Sequence, residues 1–94
     1  MQKQAIYGIV LNEQGTEVLL VKRRDIPVWV LPGGGLESEE TPEAGVIREV
    51  EEETGFQVAI VRKVAEYSPI NRLSQLTHVF ECRIAKGHAL IGDE

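Results

Sequence analysis

Apolar residues along this chain repeat with two different periods, and the change of period marks its elements. Ala5 to Leu11 (AIYGIVL) is a short apolar run with β-branched residues, bounded by Asn12-Glu13-Gln14-Gly15. It predicts a strand followed by a turn. Glu17 to Lys22 (EVLLVK) predicts a second strand, the hairpin partner of the first. After Pro27, Val28-Trp29-Val30-Leu31 predicts a third short strand ending at Pro32-Gly33-Gly34-Gly35. Consecutive glycines there predict a turn that needs positive φ or the close approach of a ligand, the plain alternative being a loop. From Pro42 the pattern turns helical: Thr41 can cap, Pro42 suits the first helical position, and Glu43 favours the positive end. Gly55 is a natural C′ residue, so the predicted helix runs from Pro42 to Thr54. Gln57 to Glu66 and Gln75 to Lys86 predict two longer strands, joined by a turn around Ser68-Pro69-Ile70-Asn71. Strands, one helix, then strands again imply an α+β fold with a mixed or layered sheet, as a single domain over residues 1–94.

The polar side of that helix is more informative than its apolar side. At 100° per residue, Val46, Ile47 and Val50 span an arc of about 100°, the predicted buried stripe. Glu49, Glu52 and Glu53 occupy the adjacent arc, while Glu51 points away toward Arg48 and Ala44 and is predicted to be solvated. Like charges three and four apart repel by roughly 0.2–0.5 kcal/mol per pair. The cluster also sits at the C-terminal end, where the helix dipole is already negative. Both terms oppose the arrangement, and a bound cation would reverse their sign. A solvated acidic face is the plainer reading, against which the neighbouring glycine run weighs.

Charge and composition narrow the function classes. The formal net charge is −5, and eight of the fifteen acidic residues lie between Glu37 and Glu53. Basic residues collect at Lys22-Arg23-Arg24 and at Arg62-Lys63. A duplex nucleic-acid surface wants a basic face, which this chain lacks. Acidic concentration beside local basic spots fits a metal-bridged phosphate better. No apolar stretch approaches the roughly 20 residues of a membrane span, and the N-terminus has no secretory pattern. Cys82 is the only cysteine, so no intrachain disulfide can form, and a reducing cytoplasm is the simplest home. Its flanks, Phe80 and Ile84, mark it as a small strand residue rather than a nucleophile.

Three oxygen donors on one helical face suit Mg²⁺ or Mn²⁺ better than zinc. The glycine run before the helix could add a carbonyl ligand and let a phosphate approach Gly34. Arg48 lies four residues before Glu52 and could orient that carboxylate or meet phosphate. Together these parts describe metal-assisted attack of water on a phosphoanhydride, with one glutamate as base. Arg23 or Arg24 could bind a substrate phosphate, though a solvated strand-end charge is the plainer reading. Trp29 could stack on a base, but core packing is the expectation. His78 is read as structural and His88 as part of a tail. Tyr67 and Pro69 carry no specificity signature.

These residues also resemble a family signature. Gly34, five residues to Glu40, seven to Arg48-Glu49, then Val50, Glu52-Glu53 and Gly55-Phe56 match every fixed position of the Nudix box, GX5EX7REUXEEXGU, U being a bulky apolar residue. Phe56 is aromatic where an aliphatic residue is commoner, and Glu39 stands where many members have glycine. Trp29-Val30-Leu31-Pro32-Gly33-Gly34 resembles the family's lead-in. The resemblance implies the Nudix α/β/α sandwich and hydrolysis of a nucleoside diphosphate linked to another moiety. It assigns metal coordination to Glu49, Glu52 and Glu53 with the Gly33 carbonyl, orientation of a box glutamate to Arg48, and support of the loop–helix junction to Glu40. The general base varies among members; Glu52 is our assignment, as base or metal-bridging ligand. Family members run further, through another strand or two and a second helix, whereas this sequence ends at Gly92-Asp93-Glu94. A shortened sequence, an unordered tail, or a short form completed by a partner chain, as in a homodimer, would each explain that. Asp93 or Glu94 would then be a candidate downstream acid. The alternative function is a Nudix-fold module that binds nucleotide without cleaving it.

Overall fold

A computed structural model describes residues 4–68 and 76–87. The Pro69–Asn71 part of the predicted turn, Gln75, His88, Asp93 and Glu94 lie outside the described residues. Seven elements follow in order: strand β1 (Gln4–Leu11), β2 (Val21–Lys22), β3 (Trp29–Val30), β4 (Gly33–Gly35), helix α1 (Pro42–Thr54), β5 (Phe56–Tyr67) and β6 (Leu76–Gly87). The main sheet has the order β4-β1-β6-β5 and is mixed: β1 runs parallel to β6 and antiparallel to β4, and β5 is antiparallel to β6. A two-stranded ribbon of β2 and β3 stands beside it. This is the α+β arrangement the pattern predicts.

The helix bounds follow from local chemistry. The Thr41 hydroxyl accepts the Ala44 amide at 3.1 Å, Pro42 begins the first turn, and Gly55 ends the helix at φ 82°. One side of α1 lies on the sheet. Ile6 and Val10 of β1, Val46 and Val50 of α1, Val58 of β5, and Phe80 and Cys82 of β6 form the buried core. Burial of an aliphatic side chain contributes about 1.5–3 kcal/mol, so this cluster fixes how α1 sits on the strands. Burial pushes the Cys82 thiol up to about 11, with Glu81 adding to it, which suits its predicted place as an inert strand residue. His78 is also buried, its Nε2 2.8 Å from Gln4 Oε1.

Three expectations change. The glycine run is not a turn: Gly33–Gly35 pairs with β1 as an edge strand, in register Tyr7↔Gly33, Ile6↔Gly34 and Ala5↔Gly35. Glycine is required there because a Cβ at Gly33 would lie 2.1 Å from the Ile6 carbonyl oxygen. The second strand is a hairpin partner of β1 only at its start, through a single bridge from Leu11 to Val18; its end turns away to pair with β3. Trp29 is not in the core, being 61% exposed. The basic pair Arg62-Lys63 is satisfied locally, Arg62 by Glu81 at 2.8 Å and Lys63 by Glu66.

Candidate active site

Edge strand β4 lies alongside the acidic arc of α1, and the two match residue for residue. The Gly33 amide donates to Glu53 Oε1 at 3.0 Å. Over Gly34, the Glu49 carboxylate lies so close that an added Cβ would be 2.8 Å from its Oε2. The Gly35 carbonyl accepts from Arg48 Nη2 at 3.3 Å. Of the three glycines, only Gly34 makes room for a helix side chain by its missing Cβ; a Cβ at Gly33 would strike the Ile6 carbonyl instead, and one at Gly35 would meet nothing within 4 Å. The helix presents Arg48, Glu49 and Glu53 at spacings that place them on neighbouring turns.

Arg48 is the hub of the site. Its guanidinium forks onto Glu40, with Nε 2.7 Å from Oε2 and Nη2 2.9 Å from Oε1. Its Nη1 reaches Glu49 Oε2 at 3.3 Å and Glu52 Oε1 at 3.1 Å. Glu40 in turn accepts the Glu37 amide at 3.0 Å, which ties the loop before the helix to the helix itself. The Arg48 fork, helped by that amide, holds the Glu40 carboxyl below the usual carboxylate range. Arg48 is correspondingly raised, chiefly by Glu40. The Glu37–Glu40 segment is a β-turn closed by the Glu40 amide on the Glu37 carbonyl, and its third residue, Glu39, has φ 65°. That is a conformation glycine takes freely and a glutamate does not.

Glu53 has a different environment. Crowding at the groove wall pushes its carboxyl up to about 7, against one hydrogen bond from Gly33 that pulls it down, with Glu49 and Glu52 adding repulsion. Its residue surface is open, but the carboxyl end faces a groove rather than bulk water on all sides. Glu51 is exposed, and its carboxylate accepts from the Gln57 side-chain amide at 3.4 Å.

Glu53 and Gly33 open onto a groove of about 470 Å³. Tyr7, Arg23, Arg24 and Asp25 line it, with Val21, Val30 and Leu31 as its apolar wall. The size suits a nucleotide-sized ligand. Arg23 and Arg24 thus line the same groove as Glu53. Trp29 does not line it: neighbouring Val30 does, and consecutive strand residues face opposite ways. Tyr7 and Asp25 escaped the sequence reading. Alternation in β1 puts Tyr7 opposite the core residues Ile6 and Val10, which could have flagged it; nothing local flags Asp25.

Among the described residues, no three acidic, histidine or cysteine side chains are gathered as a ready metal cage. Glu49 and Glu52 turn toward Arg48, and Glu53 toward Gly33. The donor set nonetheless fits a hard divalent cation in kind. Three carboxylates and a backbone carbonyl are oxygen ligands, the donor type such a cation prefers.

Comparison with known proteins gives a consistent result. A model of the NUDIX domain matches residues 1–92. A Bacillus subtilis (strain 168) protein, provisionally named 8-oxo-dGTP diphosphatase, is 39% identical over 90 residues, covering 96% of this chain and 59% of that protein. An RNA pyrophosphohydrolase of Zymomonas mobilis subsp. mobilis is 45% identical over 65 residues, 64% of this chain and 42% of the relative. In fold, a UDP-X diphosphatase superposes with a TM-score of 0.84 at 23% identity, covering 100% of this chain and 47% of that one. The chain thus spans about half the length of these relatives.

Proposed function

Because the chain belongs to the Nudix family, we propose that it carries out metal-dependent hydrolysis of a phosphoanhydride in a nucleoside diphosphate linked to another moiety. The observation that carries this reading is the docking of the acidic arc on β4, with the groove opening where Glu53 meets Gly33. Named relatives act on several different pyrophosphate compounds, so they support the bond class more than any one substrate.

Glu49, Glu52, Glu53 and the Gly33 carbonyl would hold Mg²⁺ or Mn²⁺. When bound, that ion would supply charge neutralisation at the diphosphate and a more acidic water. Arg48 bridges Glu49 and Glu52 through its shared Nη1 and so orients both carboxylates. Glu40 fixes Arg48, so its contribution is one of position. Glu52, the more exposed of the two glutamates bound by Arg48, is free on one side to take a proton from water. Gly34 allows the diphosphate to approach the backbone, and Arg23 with Arg24 would meet its charge from across the groove.

The test is phosphate or nucleoside monophosphate release from a panel of nucleoside diphosphate derivatives, with Mg²⁺ and with a chelator. Turnover that needs the metal is expected. Binding of the same compounds without turnover would favour a recognition module instead.

A further inference from the structure

Asp25 stands in the groove where a carboxylate is least expected. Glu53 already lines it, and an anionic diphosphate gains nothing from another negative charge. Yet Asp25 forks onto Arg23, taking Nε with Oδ1 at 2.8 Å and Nη2 with Oδ2. The two lie in the β2–β3 connection, which is closed by the Arg23 amide on the Val28 carbonyl at 2.9 Å and the Val28 amide on the Ile26 carbonyl at 2.8 Å. Both side chains are about half exposed, at 48% and 59%, and ion pairs so exposed contribute little to stability. What a bidentate pair does supply is direction: the Nε–Nη2 edge of the guanidinium is spoken for, and its Nη1 end is left to donate in a fixed orientation.

We infer that Asp25 is a positioning residue, which holds the Arg23 guanidinium in the groove so that its remaining edge meets the substrate diphosphate. This rests on the proposed nucleoside diphosphate substrate and deepens it. Orientation and charge then have opposite signs. If Asp25 acted only as a charge, its removal would tighten binding of an anion. As a positioning residue, its removal loosens Arg23 and weakens binding.

The experiment is calorimetric affinity for adenosine 5′-(α,β-methylene)diphosphate with Mg²⁺, beside steady-state turnover of the best substrate. Asp25→Ala is expected to weaken binding roughly three- to tenfold, the worth of one ordinary hydrogen bond, since Arg23 keeps its charge and loses only its orientation. In turnover the loss falls on KM more than on kcat. Arg23→Ala weakens binding at least as much, and adding Asp25→Ala to it brings no further loss. Asp25→Glu, which keeps the carboxylate, stays closer to wild type than Asp25→Ala. Unchanged or tighter binding in Asp25→Ala would overturn the inference, as would a further loss on top of Arg23→Ala. A wild-type protein that binds the analogue but cleaves nothing refutes the hydrolase reading while leaving this one readable. A wild-type protein that binds no nucleoside diphosphate refutes both.

Discussion

Single residues in this site are held by contacts that differ in kind, and each kind carries its own consequence. Arg48 makes a two-point fork on Glu40 and shares Nη1 between Glu49 and Glu52. A lysine keeps the charge but cannot fork. Arg48→Lys is therefore expected to lower stability by about 1–2 kcal/mol in urea denaturation and to cut turnover at least tenfold. Glu39 sits at φ 65°, where a β-carbon is crowded. Glu39→Gly should raise stability by about 0.5–1 kcal/mol, a few degrees in melting temperature for a domain of this size. Burial pushes the Glu53 carboxyl up to about 7, above the ordinary 4.5 of a glutamate. The folded state thus binds the proton more tightly than the unfolded one. In chelator, the Glu53 contribution to stability is fully present below about pH 4.5 and is lost as pH rises through about 7. Glu53→Gln should flatten that slope. Divalent-ion affinity has the opposite trend, rising through the same range because the proton competes for the carboxylate.

The elements explain why three adjacent glycines are not equivalent. A Cβ at Gly33 would strike the Ile6 carbonyl oxygen at 2.1 Å, one at Gly34 would meet Glu49 at 2.8 Å, and one at Gly35 would meet nothing within 4 Å. Alanine is expected to prevent β4 from pairing at position 33, to displace Glu49 and lower activity at position 34 while the fold persists, and to be tolerated at position 35. Circular dichroism beside turnover separates these three outcomes. The helix was legible from its sequence because its signals are local: Thr41, Pro42 and Gly55 mark its ends, and a 3.6-residue period marks its buried side. β5 and β6 were legible because they are long. β4 was not, since glycines carry no side-chain alternation and the strand exists only because β1 lies beside it. The same non-locality moved β2 to a new partner and left Trp29 exposed. Of the site, the acidic arc and Arg48 were readable because one helix carries them; Tyr7 and Asp25 meet Glu53 only through the tertiary fold.

At the scale of the molecule, one helix is seated on a mixed sheet, and the site forms where that helix overhangs the sheet edge at β4. No helix among the described residues is long and apolar enough to cross a membrane. The formal net charge is −5, and Asp25 and Glu53 line the groove where the proposed anionic substrate would come. The molecule as a whole repels such a ligand, so local compensation by a cation and by the arginines of the groove decides whether it binds. Metal dependence is therefore the property on which the proposed activity stands. Its most direct test is the Mg²⁺ dependence of nucleoside diphosphate cleavage, titrated for the wild-type chain and for Glu53→Gln at pH 8. Saturable dependence in the wild type, with at least a tenfold weaker metal requirement curve and a slower maximal rate in the variant, is the expected result. Cleavage that ignores Mg²⁺, or a variant whose titration overlays the wild type, would contradict it.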